Sequence, residues 1–421
     1  MTDSDIQSAI LDMGRRARAA AHALVKLTSD QKNTILRAMA DELLARESEI
    51  LAANALDLER AEKNGLSNAM IDRLRLDSKR LAAIAQAVSD VAALPDPVGE
   101  KLTDWTRPNG LHIRKVRVPI GVIGIIFESR PNVTTDAASL CFKTGNATIL
   151  RGGSEAIDSN RALAAALQAG GERAGLPADS VQLIPFTDRS SVEHMAQMDQ
   201  FIDLIIPRGG RGLIEKVVST ARMPVIKHYD GVCHIYVHPD ADLEMAANII
   251  ANSKCQKPGV CNALETLLIH QDIASTFAPI IGQRLADAGV QMRADPRLLP
   301  LLGDAALPAT EEDWTTEYLE LILSIKTVAS VEEAIAHINR YGSHHTDSII
   351  TRDETVAAQF QHEVDSAVVM HNASTRFNDG GEFGFGAEIG ISTDKLHARG
   401  PMGLAELTSY KYLVDGNGQV R

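Results

Sequence analysis

The sequence predicts an α/β fold with two doubly wound parallel-sheet domains and a β-hairpin arm. The first hundred residues have helical patterning, a hairpin pattern is centred on Asn109, and from Gly121 onward short apolar segments alternate with helical ones. Apolar strands separated by helices are typical of a parallel sheet covered on both faces. A length of 421 residues is sufficient for two or three domains.

Composition and charge limit the classes of partner. The formal net charge is −13 and aromatic residues make up 4% of the chain, so we expect neither a nucleic-acid partner nor a membrane partner. We find no run of about 18 apolar residues and no secretory leader pattern. Four cysteines without a CxxC pair predict neither a disulfide framework nor a metal site. These features favour a cytoplasmic protein.

Helices and one hairpin are predicted for the first 120 residues. Thr28 is a candidate cap for an amphipathic helix that ends near Gly65. A further helix is predicted from about Ser67 to Leu94, where a Pro-Asp-Pro segment ends it. The turn Pro108-Asn109-Gly110 before a β-rich segment predicts a hairpin that projects as an oligomerisation arm.

Alternating strands and helices predict the two parallel sheets. The strands predicted for the first sheet are residues 122–126, 147–150, 181–184, 204–206 and 225–226. Those predicted for the second sheet are residues 235–237, 266–269, 321–327 and 348–350. Ligands of such sheets bind beyond the carboxyl ends of the strands, so we expect functional residues there.

Two glycine-rich turns follow strands of the first sheet, each before a helix. They are Arg151-Gly152-Gly153-Ser154 and Arg208-Gly209-Gly210-Arg211-Gly212. Glycines let a backbone approach a ligand, and the amino terminus of a helix favours phosphate. Neither turn has the GxGxxG spacing, and an ordinary strand–helix connection is the alternative. Two such turns in one sheet nevertheless favour a dinucleotide site, in which Arg151 is a candidate to neutralise a 2′-phosphate.

Cys261 is the candidate nucleophile. Pro258 and Gly259 impose a bend just before it, which favours an exposed thiol. A reactive thiol needs access and stabilisation of its thiolate form. The alternative is a buried cysteine that packs as a small apolar residue. We expect that alternative for Cys141 and Cys233, while the pattern alone leaves Cys255 open.

Two polar residues are weaker candidates. Asn132, predicted in a loop after Arg130-Pro131, has an amide that can donate to an oxyanion. A turn-forming asparagine is the alternative. Glu317 lies in an acidic segment before a predicted strand, where most carboxylates are solvated.

Five segments together have a recognisable pattern. They are residues 127–134, 143–147, 261–268, 383–393 and 395–403. Over nearly the whole chain the pattern resembles the aldehyde dehydrogenase superfamily. The resemblance implies a dinucleotide-binding domain of residues 1–100 and 120–231 and a catalytic domain of residues 232–395. It also implies an oligomerisation arm with the C-terminal tail, residues 101–119 and 396–421.

The resemblance also implies roles for single residues. Cys261 is the nucleophile, the turn at Arg151 holds the adenine ribose, and the turn at Arg208 lies beside the pyrophosphate. Glu317 matches the glutamate that holds the nicotinamide ribose, with Glu320 as a neighbouring competitor. For the α-carboxylate of a substrate, the candidates are Arg130 and Arg376.

One departure from the superfamily bears on the type of reaction. Hydrolytic members have a glutamate general base where this chain has His228, in the run His228-Tyr229-Asp230-Gly231. A base that activates water would hydrolyse a thioester, so an enzyme that passes an acyl group between a thiol and phosphate has reason to lack it. We therefore expect His228 beside the substrate, and phosphate exchange rather than hydrolysis.

The resemblance then implies a specific activity. It is the NADPH-dependent reduction of L-glutamyl 5-phosphate to L-glutamate 5-semialdehyde and phosphate through a cysteinyl thioester, in proline biosynthesis. The alternatives are a hydrolytic aldehyde dehydrogenase and a non-catalytic cofactor-binding protein. A homo-oligomer is also implied, and the lability of acyl phosphates makes glutamate 5-kinase an expected partner. The expected preference for NADP over NAD rests on Arg151.

Overall fold

A computed structural model describes residues 2–421, except for the side chain of Ala69. The helices are α1 Asp3–Leu24, α2 Ser29–Ala45, α3 Glu47–Lys63, α4 Asn68–Leu74, α5 Ser78–Ala93, α6 Asn132–Lys143, α7 Ile157–Arg173, α8 Ser190–Ala196, α9 Arg211–Thr220, α10 Leu243–Cys255, α11 Gln271–Asp287, α12 Leu299–Leu302, α13 Val331–Tyr341 and α14 Glu354–Glu363. The strands are β1 Lys101–Thr106, β2 His112–Pro119, β3 Val122–Phe127, β4 Ala147–Gly152, β5 Val181–Leu183, β6 Leu204–Arg208, β7 Cys233–Val237, β8 Leu264–His270, β9 Gln291–Ala294, β10 Ala306–Pro308, β11 Ile322–Val328, β12 Thr346–Ile350, β13 Val368–His371, β14 Ile391–Ser392, β15 Gly400–Pro401 and β16 Thr408–Asp415.

The chain forms two compact units. The first contains the chain up to Lys227 together with residues 384–390 and 402–421. The second contains residues 228–383 and 391–401. No helix in residues 2–421 combines the length and the apolarity that a bilayer crossing demands. The binding roles expected for the two domains stay predictions.

The first unit contains a parallel sheet and an antiparallel one. The parallel sheet has the strand order β5-β4-β3-β6, and α1, α6, α7 and α9 pack against it. The predicted hairpin is present as β1 and β2, with Gly110 at a φ of 86° in the turn, a backbone conformation that glycine adopts readily. Strand β16 adds to β2, giving the antiparallel order β1-β2-β16.

Three details of the first unit differ from the prediction. The amphipathic helix expected from Thr28 to near Gly65 is two helices, α2 and α3, which are separated at Arg46. The helix expected from Ser67 to Leu94 is two helices, because the Asp77 side chain accepts the Arg80 N–H at 2.7 Å and begins α5 anew. The strand expected at residues 225–226 is a single bridge between Val225 and Ile205. Proline has no N–H to extend such a ladder, and Pro224 precedes this bridge.

The second unit is a seven-stranded parallel sheet in the order β10-β9-β11-β8-β7-β12-β13. Alternate residues of β7 face opposite sides of it. Ile235 packs in one core with Phe277 of α11, whereas Tyr236 packs in the other with Phe360 of α14. The sheet is therefore covered on both faces, as the apolar strands predict.

A buried ion pair joins α10 to β8. The ammonium of Lys254 lies 2.6 Å from the carboxylate of Glu265, and both side chains are 0% exposed. Burial raises the pKa of Glu265 to about 7 and lowers the pKa of Lys254. Each charge is therefore stable in the interior only while the other is present.

We expect Lys254→Met to destabilise the protein by about 3–5 kcal/mol, because it leaves a buried carboxyl group without its cation. Equilibrium urea unfolding of the variant measures this loss. The matched control is Lys216→Met, since Lys216 forms an exposed pair with Glu193 and should contribute less than about 1 kcal/mol. Equal losses in the two variants would contradict the prediction.

Candidate active site

Cys261 lies in the loop between α10 and β8, and its side chain is half-buried. The other three cysteines are less suited to act as thiolates. Burial raises the pKa of Cys141 to about 12, that of Cys233 well above its usual value, and that of Cys255 as well. A nucleophilic thiol needs both access and an accessible thiolate form, so the structure favours Cys261 among the four.

The candidate residues of the second unit lie at one edge of its sheet. Strands β11, β8, β7 and β12 are consecutive neighbours. Glu317, Cys261, Gly231 and His345 precede these strands in that order. All four therefore lie at the amino edge of the sheet, since the strands are parallel. The expectation that functional residues lie at carboxyl ends is wrong for this candidate cluster.

Two imidazoles accompany the thiol. One nitrogen each of His228 and His345 and the sulfur of Cys261 lie within 4.8 Å of one another. The Nδ1 atom of His228 is 2.8 Å from the carbonyl oxygen of Ile391 and must donate to it, because a carbonyl oxygen only accepts. In a neutral ring, Nε2 of His228 then has the lone pair. His345 is buried, and its Nδ1 lies 2.7 Å from the hydroxyl of Thr346.

The backbone of Cys261 packs closely against Gly231 and accepts a hydrogen bond from Cys233. A methyl group added at Gly231 would overlap the carbonyl oxygen of Cys261 and lie 2.6 Å from its Cα. The same carbonyl oxygen accepts the thiol of buried Cys233 at 3.2 Å. Glycine at position 231 allows this close approach, and the hydrogen bond from the Cys233 thiol fixes the carbonyl group of Cys261.

Glu317 is hydrogen-bonded to the backbone of Gly231, which packs against Cys261. Its Oε1 atom accepts the N–H of Gly231 at 2.9 Å. Burial and the nearby charge of Asp230 raise the pKa of Glu317. Its predicted competitor, Glu320, is exposed. The structure thus places Glu317, rather than Glu320, in contact with the backbone beside Cys261.

Arg376 also lies beside the nucleophile loop. Its guanidinium donates to the side-chain oxygen of Asn262, the residue after Cys261, and its Nε donates to Gln256 at 2.8 Å. Asn262 in turn donates to the carbonyl oxygen of Asn378 at 2.9 Å. Arg376 therefore has a structural contact with this loop in addition to its predicted role in binding a carboxylate.

Arg151, in the first unit, is largely internal. Its Nε donates to Ser191 at 3.3 Å and its Nη2 donates to the carbonyl oxygen of Thr187 at 3.1 Å. Burial lowers the pKa of this guanidinium. Arg151 and Gly152 belong to β4, so the turn begins at Gly153 rather than at Arg151. A methyl group at Gly152 would overlap Asn160, which gives that glycine a packing reason of its own.

The second glycine-rich turn ends at a helix terminus that already has an anion. Gly210 is the N-cap of α9, and its N–H donates to the carboxylate of Glu128 at 3.0 Å. Arg208 ends β6 at the same edge of the sheet. A carboxylate at a helix amino terminus marks a place that suits the phosphate of a dinucleotide. The residues present therefore fit such a cofactor.

Asn132 lies in a helix, which corrects the prediction of a loop. It is the first residue of α6, because Pro131 takes the N-cap position, which needs no N–H. Its amide donates to Asp136 at 2.8 Å, and burial raises the pKa of Asp136 to about 6. Arg130 is exposed in the loop before this helix.

Sequence reasoning missed His345 and Glu128. His345 stands three residues before the predicted strand of residues 348–350, and a search at carboxyl ends passes over that place. Glu128 lies within a segment that carried the family resemblance, but its contact is with Gly210, which is 82 residues away in sequence. The adjacent pair His344-His345 before a strand was the available signal for the first residue, and we find none for the second.

Comparison with known proteins places this chain in a family. Residues 2–312 match the aldehyde dehydrogenase family. The chain therefore belongs to the aldehyde dehydrogenase family, and the family resemblance and fold class predicted from sequence are confirmed.

Similarity within the family is specific. The chain is 52% identical over 419 residues to a gamma-glutamyl phosphate reductase of Brucella suis biovar 1, covering 99% of both chains. It is 54% identical over 408 residues to a protein of the same name in Heliobacterium modesticaldum, covering 97% of this chain and 98% of that one. The crystal structure of gamma-glutamyl phosphate reductase from Thermotoga maritima matches with a TM-score of 0.96 and 47% identity, over 98% of this chain and 99% of that one.

Proposed function

We propose that this chain is a γ-glutamyl phosphate reductase. It reduces L-glutamyl 5-phosphate to L-glutamate 5-semialdehyde and phosphate, a step of proline biosynthesis. The half-buried thiol of Cys261 between two imidazoles is the observation that carries the proposal. The full-length similarity to relatives of that name supports the choice of substrate.

Cys261 forms the covalent intermediate in this proposal. Nε2 of His228 accepts the thiol proton, since Nδ1 is committed to the carbonyl of Ile391. The thiolate attacks the acyl carbon, the bond to the phosphate oxygen breaks, and a thioester and inorganic phosphate result. When bound, NADPH supplies the hydride that reduces the thioester carbon. Release of the aldehyde returns the sulfur to its starting state.

The negative oxygen of the tetrahedral intermediate needs hydrogen-bond donors. We propose the backbone N–H of Cys261 as one donor and the amide of Asn132 as the second. That amide has two N–H groups, of which one donates to Asp136, so the role uses the other. Arg130 and Arg376 are proposed for the α-carboxylate of the substrate.

The cofactor site is proposed at the carboxyl edge of the first unit's parallel sheet. Gly153 and Ser154 of the first turn would lie near the adenine ribose, and Gly209 and Gly210 near the pyrophosphate, by analogy with the family. Glu317 would hold the nicotinamide ribose. The preference for NADPH is assigned to the charge of Arg151 at the end of β4.

Arg151→Gln tests this preference. We expect the ratio of kcat/KM for NADPH to that for NADH to fall about tenfold, because a charge-assisted contact to phosphate is lost. The exposed Arg173→Gln, whose partner is Glu42, is the control and should leave the ratio unchanged. An equal loss with both cofactors would mean that Arg151 only fixes the loop at Thr187 and Ser191.

The decisive experiment for the reaction is the dependence of cofactor reduction on phosphate. Purified protein is given NADP⁺ and glutamate 5-semialdehyde, with and without phosphate or arsenate, and other semialdehydes are compared. We expect reduction of NADP⁺ only with one of these anions present, because the thioester must be transferred to an oxyanion acceptor. Oxidation that proceeds without them and releases free glutamate would identify a hydrolytic aldehyde dehydrogenase instead.

Assembly and location are part of the same proposal. The sheet of β1, β2 and β16 exposes an apolar row at Tyr410, Tyr412 and Val414, each at least 50% exposed. Exposed apolar rows on an edge sheet favour pairing with another copy, so we propose a homo-oligomer. A labile acyl phosphate makes glutamate 5-kinase a proposed partner. The cysteines are all free, as the reducing cytoplasm would keep them.

A further inference from the structure

We propose that the thiol and the two imidazoles of the active site form an inhibitory binding site for a zinc-type divalent cation. The ligands are Cys261, His228 and His345. The inhibition rests on the proposed function, whereas the binding of the cation does not, since binding is measured without substrate. It departs from the expectation from sequence that the chain has no metal site, which considered only spacing along the chain.

The distances suit a tetrahedral ion. One potential ligand atom from each of the three residues lies within 4.8 Å of the other two. Zinc bonds to sulfur at about 2.3 Å and to imidazole nitrogen at about 2.0–2.1 Å, which places its ligands roughly 3.4–3.6 Å apart. Closing the cluster on an ion therefore requires a contraction of at most about 1.2–1.4 Å, which lies within the reach of side-chain rotation.

The histidines are oriented as metal ligands usually are. Nδ1 of His228 donates to the carbonyl oxygen of Ile391 at 2.8 Å, which fixes the ring and leaves Nε2 as the coordinating atom. The ring of His345 is held at Nδ1 by the hydroxyl of Thr346, which itself accepts the amide of Asn378 at 2.6 Å. Such outer hydrogen bonds to a backbone carbonyl or a side chain accompany most metal-binding histidines.

The chemistry of the donors selects the ion. One thiolate and two imidazoles favour zinc or cobalt, whereas magnesium and calcium prefer oxygen ligands. Three protein ligands leave a fourth position for water, and the half-buried state of Cys261 and His228 gives the ion access. Cys233 is excluded as a ligand because its thiol is buried and donates to the backbone of Cys261. Binding replaces the thiol proton of Cys261 by the ion, so one proton is released.

Such a cation stops the proposed chemistry by occupying the sulfur. A sulfur bonded to zinc cannot attack an acyl carbon, and a ligated His228 cannot accept its proton. Activity should therefore fall with free zinc and return when a chelator is added. The chain would be sensitive to zinc while remaining indifferent to magnesium.

The test uses the full-length, reduced and chelator-treated protein without substrate. Titration with Co²⁺ is followed by near-ultraviolet absorption from sulfur-to-cobalt charge transfer, and titration with Zn²⁺ by calorimetry. We expect one ion per chain in the wild type, no charge-transfer band in Cys261→Ser, and at least tenfold weaker binding in His228→Gln. His362→Gln, an exposed residue of α14, is the matched control and should bind as the wild type does.

A second measurement uses the wild-type protein alone, so its result does not depend on whether the variants fold. Bound Zn²⁺ should protect Cys261 of the wild-type protein from iodoacetamide, and Mg²⁺ should not. The proposal is overturned by a wild type without a charge-transfer band, by equal zinc binding in Cys261→Ser, or by full alkylation of Cys261 in the presence of zinc. None of these results affects the phosphate dependence of the reaction, so the two proposals fail separately.

Discussion

Cys261→Ser is expected to lower phosphate-dependent NADP⁺ reduction by about a thousandfold or more. A serine hydroxyl has no accessible anionic form near neutral pH and is a far weaker nucleophile, so the thioester route is lost. The measurement is kcat/KM with glutamate 5-semialdehyde, phosphate and NADP⁺, together with the binding of the cofactor alone. We expect cofactor binding to persist, because the candidate phosphate contact is at Gly210.

Cys255→Ser is the matched control for this variant. Cys255 lies six residues earlier at the end of α10 and is also half-buried. Burial raises its pKa, so it should not act as a thiolate, and its variant should keep near-normal activity. Near-normal phosphate-dependent activity of Cys261→Ser, or a collapse in the Cys255 variant alone, would reverse the assignment of the nucleophile.

Gly231→Ala has the second-largest expected effect. The added methyl group would overlap backbone atoms of Cys261, which no side-chain rotation can relieve. We expect the loop to shift by about 1 Å and kcat to fall about a hundredfold, since a displacement of that size misaligns a reacting atom. Steady-state kinetics measure kcat, and the alkylation rate of Cys261 reports the shift directly.

Gly381→Ala serves as the control in the same unit. There the methyl group would meet only the carboxylate of Asp379 at 3.1 Å, and position 381 is exposed. Its activity and thermal midpoint should match the wild type. If Gly231→Ala has wild-type kcat and a wild-type alkylation rate, the close approach at Cys261 has no functional consequence.

Much of the fold could be predicted from the sequence because the local residue patterns agree with the observed packing. The apolar run of β3 is buried along its whole length, and the Pro108-Asn109-Gly110 turn closes its hairpin as its residue types predict. Short strands were less readable. β9 and β10 contain polar or exposed residues and are held by neighbours distant in sequence, which no local pattern records.

The candidate site could be predicted only in part, because some of its contacts join residues that are distant in sequence. Cys261 stands out through its proline and glycine neighbours, and the resemblance to a family selected it. His345 comes to the thiol because β12 pairs with β7 and so brings residue 345 near residue 231, a fact of strand order. The internal contacts of Arg151 likewise depend on the loop at Thr187, which the strand–helix pattern does not describe.

Strand β16 is synthesised long after its partner β2, so the sheet that they form is completed late in synthesis. β16 pairs with β2 along its whole length, and Arg114 donates to Asp415 at a sequence separation of 301 residues. At about 5–20 residues per second, the ribosome takes roughly 15–60 s to make the stretch between these partners. During that time one side of β2 has unpaired backbone groups open to pairing with another chain. A premature stop codon before Thr408 would therefore leave an early-made sheet without β16.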